Sequence, residues 1–99
     1  MKSYVPLPSE QARIQIFANK IADTINKLGT ETFKPISDEV NIIELAQLTD
    51  GMSGADITEI IRRASFAKAM EEAQKGSEQT QPITQADLAR IIQDMRRTN

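Results

Sequence analysis

The sequence contains no cysteine and no histidine, and these two absences remove whole classes of site. Without cysteine, the chain can form neither a disulfide nor a thiolate metal site. Without histidine, the other usual zinc ligand is missing, and no nucleophile can be paired with a histidine base. The glycine-rich phosphate loop that ends in Lys-Ser or Lys-Thr is also absent. We therefore expect no metal site and no catalytic residue in this chain, and no enzymatic activity of the chain alone.

Aromatic residues are scarce, with three Phe, one Tyr and no Trp among 99 residues. A chain with 39% hydrophobic and 26% charged residues must then build a modest core from Ile, Leu, Ala and Met, which is typical of a helical domain. No apolar run approaches the roughly 20 residues needed to cross a bilayer, and no signal peptide is visible. We predict one small all-α domain. We expect it to lie in the cytoplasm and to make no contact with a membrane.

An excess of positive charge is missing as well, because the formal net charge is −2. Binding to a phosphate backbone needs clustered Lys and Arg, so nucleic acid is not the expected partner.

Apolar residues that recur every three or four positions predict a helical bundle. Helix one is predicted from Ser9, its cap, to about Lys27, with Gly29 just past its end. Three later helices each open on a residue that can cap, followed three positions on by an acidic residue; these pairs are Asn41 with Glu44, Ser53 with Asp56, and Thr84 with Asp87. The third helix is predicted to reach Lys75. Loops are expected at residues 29–40, pinned by Phe33 and Ile36, and at residues 75–82.

The predicted core follows from the same periodicity. Its members are Ile14, Phe17, Ile21, Ile25, Leu28, Ile42 or Ile43, Leu45, Ala46, Leu48, Ile57, Ile60, Ile61, Ala64, Ala67, Met70, Leu88, Ile91, Ile92 and Met95. Ile16 and Lys20 fall outside this stripe and lie one turn apart on another face of helix one.

Residues 1–8 do not have the pattern of a domain's own first element. Tyr4 and Val5 favour a strand, and Pro6 and Pro8 prevent either a ladder or a helix from continuing. Two interpretations are open, a disordered terminus or the last strand of a neighbouring domain.

The segment TDGMSGADIT, residues 49–58, places two glycines three positions apart at the start of helix three. Gly51 suits the turn, and Ser53 suits the cap. Gly54 has no side chain and Ala55 has only a methyl group, so a flat ligand could approach the unpaired N–H groups of the first turn. Small residues at a helix start are also common for packing reasons.

Charged residues in helices three and four allow alternatives. Asp56 and Glu59 could be paired catalytic carboxylates, but a cap and a solvated side chain are the simpler interpretation. The arginines at positions 62, 63, 96 and 97 could form a basic patch or coat the helices. The turn into helix three also resembles a DNA-binding helix-turn-helix, although Asp56 and Glu59 would repel phosphates at its reading end. A free-standing helix-turn-helix or helical interaction module is therefore the alternative function.

Three segments in order, VPLPSEQARIQIF, LAQLTDGMSGADITEIIRRA and ITQADLARII, resemble the small helical lid subdomain of AAA ATPases. The resemblance covers roughly residues 4–95. The central segment is most similar to the second ATPase module of valosin-containing protein-type unfoldases, and proteasomal and FtsH-type ATPases are also similar. This implies a hinge and strand remnant of the large subdomain at residues 1–8 and a four-helix AAA+ lid at residues 9–97.

The resemblance also implies a function and a set of site residues. In this family the lid closes over ATP or ADP, whose Mg is bound by the large subdomain, and it passes the effect of hydrolysis to neighbouring subunits of a ring that acts on a protein substrate. The family's adenosine contacts correspond to Gly54, Ala55 and Thr58, and, from helix one, to Ile16 and Lys20.

Three features depart from the family's pattern. Lys20 stands where relatives usually have His or Asn. The connection over residues 28–40 is about ten residues longer than usual. Arg63 replaces the Glu of many relatives, as it does in the valosin-type second module. Ala55 agrees with the AAA branch and lies where the broader AAA+ class has a sensor arginine, so the resemblance implies no arginine finger or sensor here.

Overall fold

The computed structural model describes residues 6–31, 33–76 and 78–97, and it folds them into an all-α bundle, as the sequence predicts. The four helices are α1 (Glu10–Leu28), α2 (Ile42–Leu48), α3 (Gly54–Lys75) and α4 (Gln85–Arg97). Helix α1 packs against α2 and α3, and α4 packs against α3 and α2. The strand predicted at Tyr4 and Val5 lies outside the described residues.

The helices begin where the capping residues predict. The Ser9 hydroxyl accepts the Ala12 N–H at 3.2 Å. Ser53 and Asp56 form a complete capping box, in which each side chain accepts the other residue's backbone N–H, at 3.1 and 3.0 Å. Thr84 and Asp87 make the same reciprocal pair. Each pair satisfies two of the donors that a helix start leaves open.

The capping box predicted for α2 is only half formed. The Asn41 side chain accepts the Glu44 N–H at 3.1 Å, but the Glu44 carboxylate does not return to Asn41. Gln85, the first residue of α4, takes the place of that carboxylate, because its amide oxygen accepts the Asn41 N–H at 2.9 Å. Its amide nitrogen donates to the Glu44 carboxylate at 2.8 Å. The start of α2 is thereby tied to the start of α4.

The core lies where the four helices meet. Its fully buried side chains include Phe17, Leu45, Ile57, Ile60, Leu88 and Ile92. The loop before α2 contributes Phe33 and Ile36, both buried as predicted. Ile36 is joined to Ile83 by a parallel bridge, with Ser37 N–H donating to the Ile83 carbonyl at 2.9 Å and Ile83 N–H to the Pro35 carbonyl at 2.8 Å. This bridge closes the two long loops against each other.

Several residues predicted to be buried are exposed instead. Ile25, Leu28, Leu48 and Met70 are between 38% and 49% exposed, and Ala67 is also exposed. Grooves stay open along the second half of α3, one beside the last turn of α1 that Leu28 lines and one beside α4 that Ala67 lines, so these two side chains remain uncovered. Ile43 is exposed and Ile42 is partly buried, which resolves the alternative left by the sequence.

Candidate functional site

The start of α3 lies directly against α1. Gly54 is the first residue of α3, and a Cβ atom at this position would lie 3.7 Å from Cδ1 of Ile16. Ile16 was predicted to lie outside the core stripe, but it is partly buried and packs against the core cluster. Ala55 is exposed in the same first turn of α3. Two of the residues predicted to contact a ligand, Gly54 and Ile16, are therefore neighbours in space.

The other two predicted residues meet one turn further along. Lys20 and Thr58 both line a groove of about 350 Å³ between α1 and α3. Thr58 is exposed, and its hydroxyl donates to the Gly54 carbonyl at 3.0 Å. Lys20 is half-buried. We call the surface formed by Ile16, Lys20, Gly54, Ala55 and Thr58 the α1–α3 face.

The backbone at the start of α3 has donors that the helix does not use. The Ser53 hydroxyl accepts the Asp56 N–H, and the Ser53 carbonyl accepts the Ile57 N–H at 3.1 Å. The N–H groups of Gly54 and Ala55 precede these, and helix geometry offers them no carbonyl within α3. Together with the helix dipole, they give this turn a partial positive charge. Such a turn can accept a polar or anionic group.

The two acidic residues of α3 that could form a catalytic pair have separate structural roles. Asp56 completes the capping box. Glu59 accepts hydrogen bonds from Arg62 at 2.8 and 2.9 Å and from Arg63 at 2.9 Å. These hydrogen bonds, Arg62 first, lower the pKa of Glu59 from its ordinary value near 4.5 to about 2. Glu59 is therefore paired rather than simply solvated, and it stays ionised at neutral pH.

Two arginines bind the carbonyl groups around the turn that precedes α3, here called the α2–α3 turn (residues 49–53). Arg13, which is 4% exposed, donates from Nε to the Ala46 carbonyl at 3.0 Å. Arg96 donates to the Leu48 carbonyl at 2.7 Å and to the Asp50 carbonyl at 2.8 Å. Backbone carbonyls at a helix end are natural acceptors for such donors. The turn is thus bound from α1 on one side and from α4 on the other.

Sequence reasoning missed both arginines. Arg13 lies four residues before Phe17, on the stripe that the helix buries, and a charged residue at such a position indicates a buried partner. That signal was available and was not used. For Arg96 the sequence left open a basic patch or a place on the helix surface. No local pattern around Arg96 indicates that it binds backbone carbonyls 46 and 48 positions away.

Neither a metal cluster nor a membrane span was found in residues 6–31, 33–76 and 78–97. No group of three or more acidic side chains there is arranged to hold a metal ion. No helix in this part of the chain is both long and apolar enough to cross a membrane.

The family match shows the class of protein. Residues 39–89 match the AAA+ lid domain family, so the chain belongs to that family. This membership favours the lid interpretation over the free-standing helix-turn-helix alternative.

Curated relatives agree with this assignment. The chain is 40% identical over 73 residues, 74% of its length, to the cell division cycle protein 48 homolog of Archaeoglobus fulgidus. It is 42% identical over 64 residues, 65% of its length, to fidgetin-like protein 1 of Drosophila melanogaster. It is 35% identical over 89 residues, 90% of its length, to the proteasome-activating nucleotidase of Archaeoglobus fulgidus. The matches span only 9%, 10% and 18% of these three relatives, so the chain is similar to one part of much longer proteins.

Proposed function

We propose that this chain is the lid of an AAA ATPase and closes over ATP or ADP that a large subdomain binds together with Mg. The observation that supports the proposal is the α1–α3 face, where Gly54 lies against Ile16 and where Thr58 and Lys20 line one groove. Gly54 and Ile16 come from two different helices and meet on this surface, and so do Thr58 and Lys20. In a structural role alone, an exposed threonine and a glycine would need no such neighbours.

The chemistry of the α1–α3 face suits adenosine. Gly54 and Ala55 leave space for a flat base or a sugar to reach the backbone N–H groups. Ile16 offers an apolar side chain beside that space, and ligand sites commonly combine such an apolar surface with a few polar groups. The Thr58 hydroxyl and the Lys20 ammonium group supply the polar groups at the edge of the face. Lys20 is the weakest of the five assignments, because a charged amine replaces the neutral His or Asn that the resemblance implies.

Closure gives the lid a mechanical role. A lid that contacts ATP and ADP differently changes its angle to the large subdomain when ATP is hydrolysed. In this proposal residues 1–8 form the hinge and the end of the large subdomain's last strand, and residues 9–97 form the moving lid. The movement would pass to neighbouring subunits of a ring and would unfold or disassemble a protein substrate. The cytoplasm is the expected compartment.

The substitution Gly54→Val tests the nucleotide contact. A Cβ at Gly54 would meet Ile16 at an ordinary contact distance of 3.7 Å, and Val in a helix costs less than about 1 kcal/mol relative to Ala. The lid should therefore stay folded, with its Tm shifted by a few degrees at most, about what 1 kcal/mol produces in a domain of this size. An intact ATPase that contains this lid should bind nucleotide more weakly and lose turnover, because the branched side chain occupies the ligand's space.

The matched control is Ser53→Ala, the neighbouring residue. This change removes a cap worth about 1 kcal/mol and should destabilise the lid while leaving nucleotide affinity nearly intact. Thermal unfolding of the lid and nucleotide binding by the intact ATPase separate the two effects. If Gly54→Val unfolds the lid and affinity only follows that loss of stability, Gly54 is a packing residue and the nucleotide contact assigned to it is wrong.

A further inference from the structure

In the segment that leads into α1, the Ser9 hydroxyl accepts the Ala12 N–H as the helix cap, and Pro8 is bound to the lid by one buried side chain, that of Arg13. Arg13 Nη1 donates to the Pro8 carbonyl at 2.9 Å, while Nε of the same guanidinium donates to the Ala46 carbonyl at 3.0 Å. The third nitrogen, Nη2, lies 3.7 Å from the Asp50 carboxylate, whose side chain is 88% exposed. The two carbonyl bonds are therefore the main contacts, and the ion pair with Asp50 contributes little.

We propose that Arg13 is a positioning residue that fixes residues 7 and 8 to the lid, so that this end of the leading segment moves with α1 and α2. As a statement about movement in an ATPase, this rests on the proposed function, since it says which part of the hinge assigned to residues 1–8 moves with the lid. As a statement about the chain's geometry, it is independent of nucleotide. The two parts can therefore fail separately.

The contact is costly to break because the guanidinium is buried. A buried cation needs its donors satisfied, and the planar fork of Arg can reach carbonyls in two directions at once, which a Lys ammonium group cannot do in the same way. The Pro8 carbonyl and the last turn of α2 are joined through that fork. Displacing residue 8 would leave donors of a buried charge without acceptors.

The ring of Pro8 also restricts the backbone of the residue before it. The ring of Pro8 fixes its own φ angle and restricts Leu7 to extended conformations. The orientation of Leu7 thus follows from the position of Pro8.

The same guanidinium links this segment to the α1–α3 face. Ala46, the residue that Arg13 binds, lies in the last turn of α2, and the α2–α3 turn leads from there directly to Gly54. Arg96 binds the Leu48 and Asp50 carbonyls of the same region from α4. A rotation of residues 7 and 8 would therefore also change the position of Gly54.

Distances between spin labels on the 99-residue chain test the proposal. The chain has no cysteine, so labels attach only where cysteine is introduced. Helices α1 and α3 run side by side in the same direction, because Ile16 lies by Gly54, Lys20 by Thr58 and Leu28 by Ala69. Gln74, which is exposed near the end of α3, is therefore far from both Leu7 and Gln47. Leu7→Cys with Gln74→Cys reports the leading segment, and Gln47→Cys with Gln74→Cys reports the lid itself.

The expected result is a narrow distance distribution for both pairs, with Arg13 intact. Arg13→Met should abolish the narrow distribution of the Leu7 pair and preserve that of the Gln47 pair. Arg13→Lys, which keeps a cation and an aliphatic stem at the buried site, should do the same with less risk to folding. Arg96→Met removes the hydrogen bonds from α4 to the Leu48 and Asp50 carbonyls. It should leave the distance distribution of the Leu7 pair narrow.

Two results would overturn the proposal. A Leu7 pair that stays narrow in both Arg13→Met and Arg13→Lys would show that another contact fixes the segment. A Gln47 pair that broadens together with the Leu7 pair in Arg13→Lys would show that Arg13 supports the whole fold and has no separate positioning role. Neither outcome would affect the nucleotide contact, which Gly54→Val tests by affinity.

Discussion

The two halves of α3 belong to one helix and have different environments. Its buried residues, Ile57, Ile60, Ile61 and Ala64, all lie in the first half, residues 54–64. In the second half, residues 65–75, Phe66 is 62% exposed and Met70 is 49% exposed. Both halves carry ion pairs on the surface, those of Glu59 in the first half and those of Glu71 in the second, but only the first half begins with a capping box.

The comparison shows that helix formation and burial are separate properties. Both halves are helical because both contain good helix formers and neither contains an internal Gly or Pro. Only the first half has α1 and α4 on either side of a filled core. The α1–α3 face lies along the half of α3 that contains all of the buried residues of this helix.

The largest expected difference between the halves is the cost of truncating an apolar side chain. Ile61 is 6% exposed and belongs to the core cluster, so Ile61→Ala should lower the free energy of unfolding by about 2–5 kcal/mol. Met70→Ala, in the exposed half, should change it by less than about 0.5 kcal/mol. Chemical denaturation of both variants measures the two values. Losses of similar size would show that the second half is covered in solution, and the comparison would then be wrong.

A smaller loss of stability is expected when the helix cap at the start of the first half is removed. Ser53→Ala removes the hydroxyl that accepts the Asp56 N–H, and it should cost about 1 kcal/mol. Ser53→Thr keeps a hydroxyl at the cap and should recover most of that loss. Thermal unfolding followed by circular dichroism reports both variants. An equal loss in Ser53→Thr would indicate that packing around Ser53, and not its hydrogen bond, stabilises the turn.

The smallest expected effect is a pH dependence on the exposed side of α3. Hydrogen bonds from Arg62 and Arg63 lower the pKa of Glu59 to about 2 in the folded chain. Because the folded pKa is lowered, the ion pairs stabilise the fold at neutral pH, and this contribution disappears as the pH falls from about 4.5 towards 2. Glu59→Gln should therefore differ from the unmodified chain at pH 7 and converge with it in acid.

Glu71→Gln is the matched variant in the second half. The pKa of Glu71 is also lowered, chiefly by the hydrogen bond from Lys68. Its contribution should likewise fade in acid, since the sign of the shift is the same. Urea unfolding at several pH values compares the two variants. A difference for Glu59→Gln that persists unchanged at the acid end would show that its ion pairs are not the cause.

Much of the fold could be predicted because its signals are local. The cap residues Ser9, Ser53 and Thr84 act within three positions of themselves, so their sequence neighbours are sufficient evidence. The prediction at Asn41 was right for the cap and wrong for the second half of the box, because the residue that accepts the Asn41 N–H, Gln85, lies 44 positions away. No local pattern contains that information.

The candidate site divides in the same way. The start of α3 at Gly54 follows from the cap at Ser53, and family resemblance drew attention to Ile16 and Lys20 on α1. Their proximity to Gly54 and Thr58 is a property of how α1 and α3 pack, and the structure places these residues together. Their contact with a nucleotide stays a prediction until Gly54→Val is measured.

The sequence by itself determined the helices, their starting points and the central residues of the core, because propensity, capping and periodicity act over a few residues. Only the tertiary structure decided where those helices stop being covered, which is why Ile25, Leu48 and Met70 are exposed despite their apolar character. It also decided that the buried Arg13 joins Pro8 to Ala46, across 38 positions of sequence. Burial and long-range hydrogen bonds depend on which surfaces meet, and that depends on the packing of the whole chain.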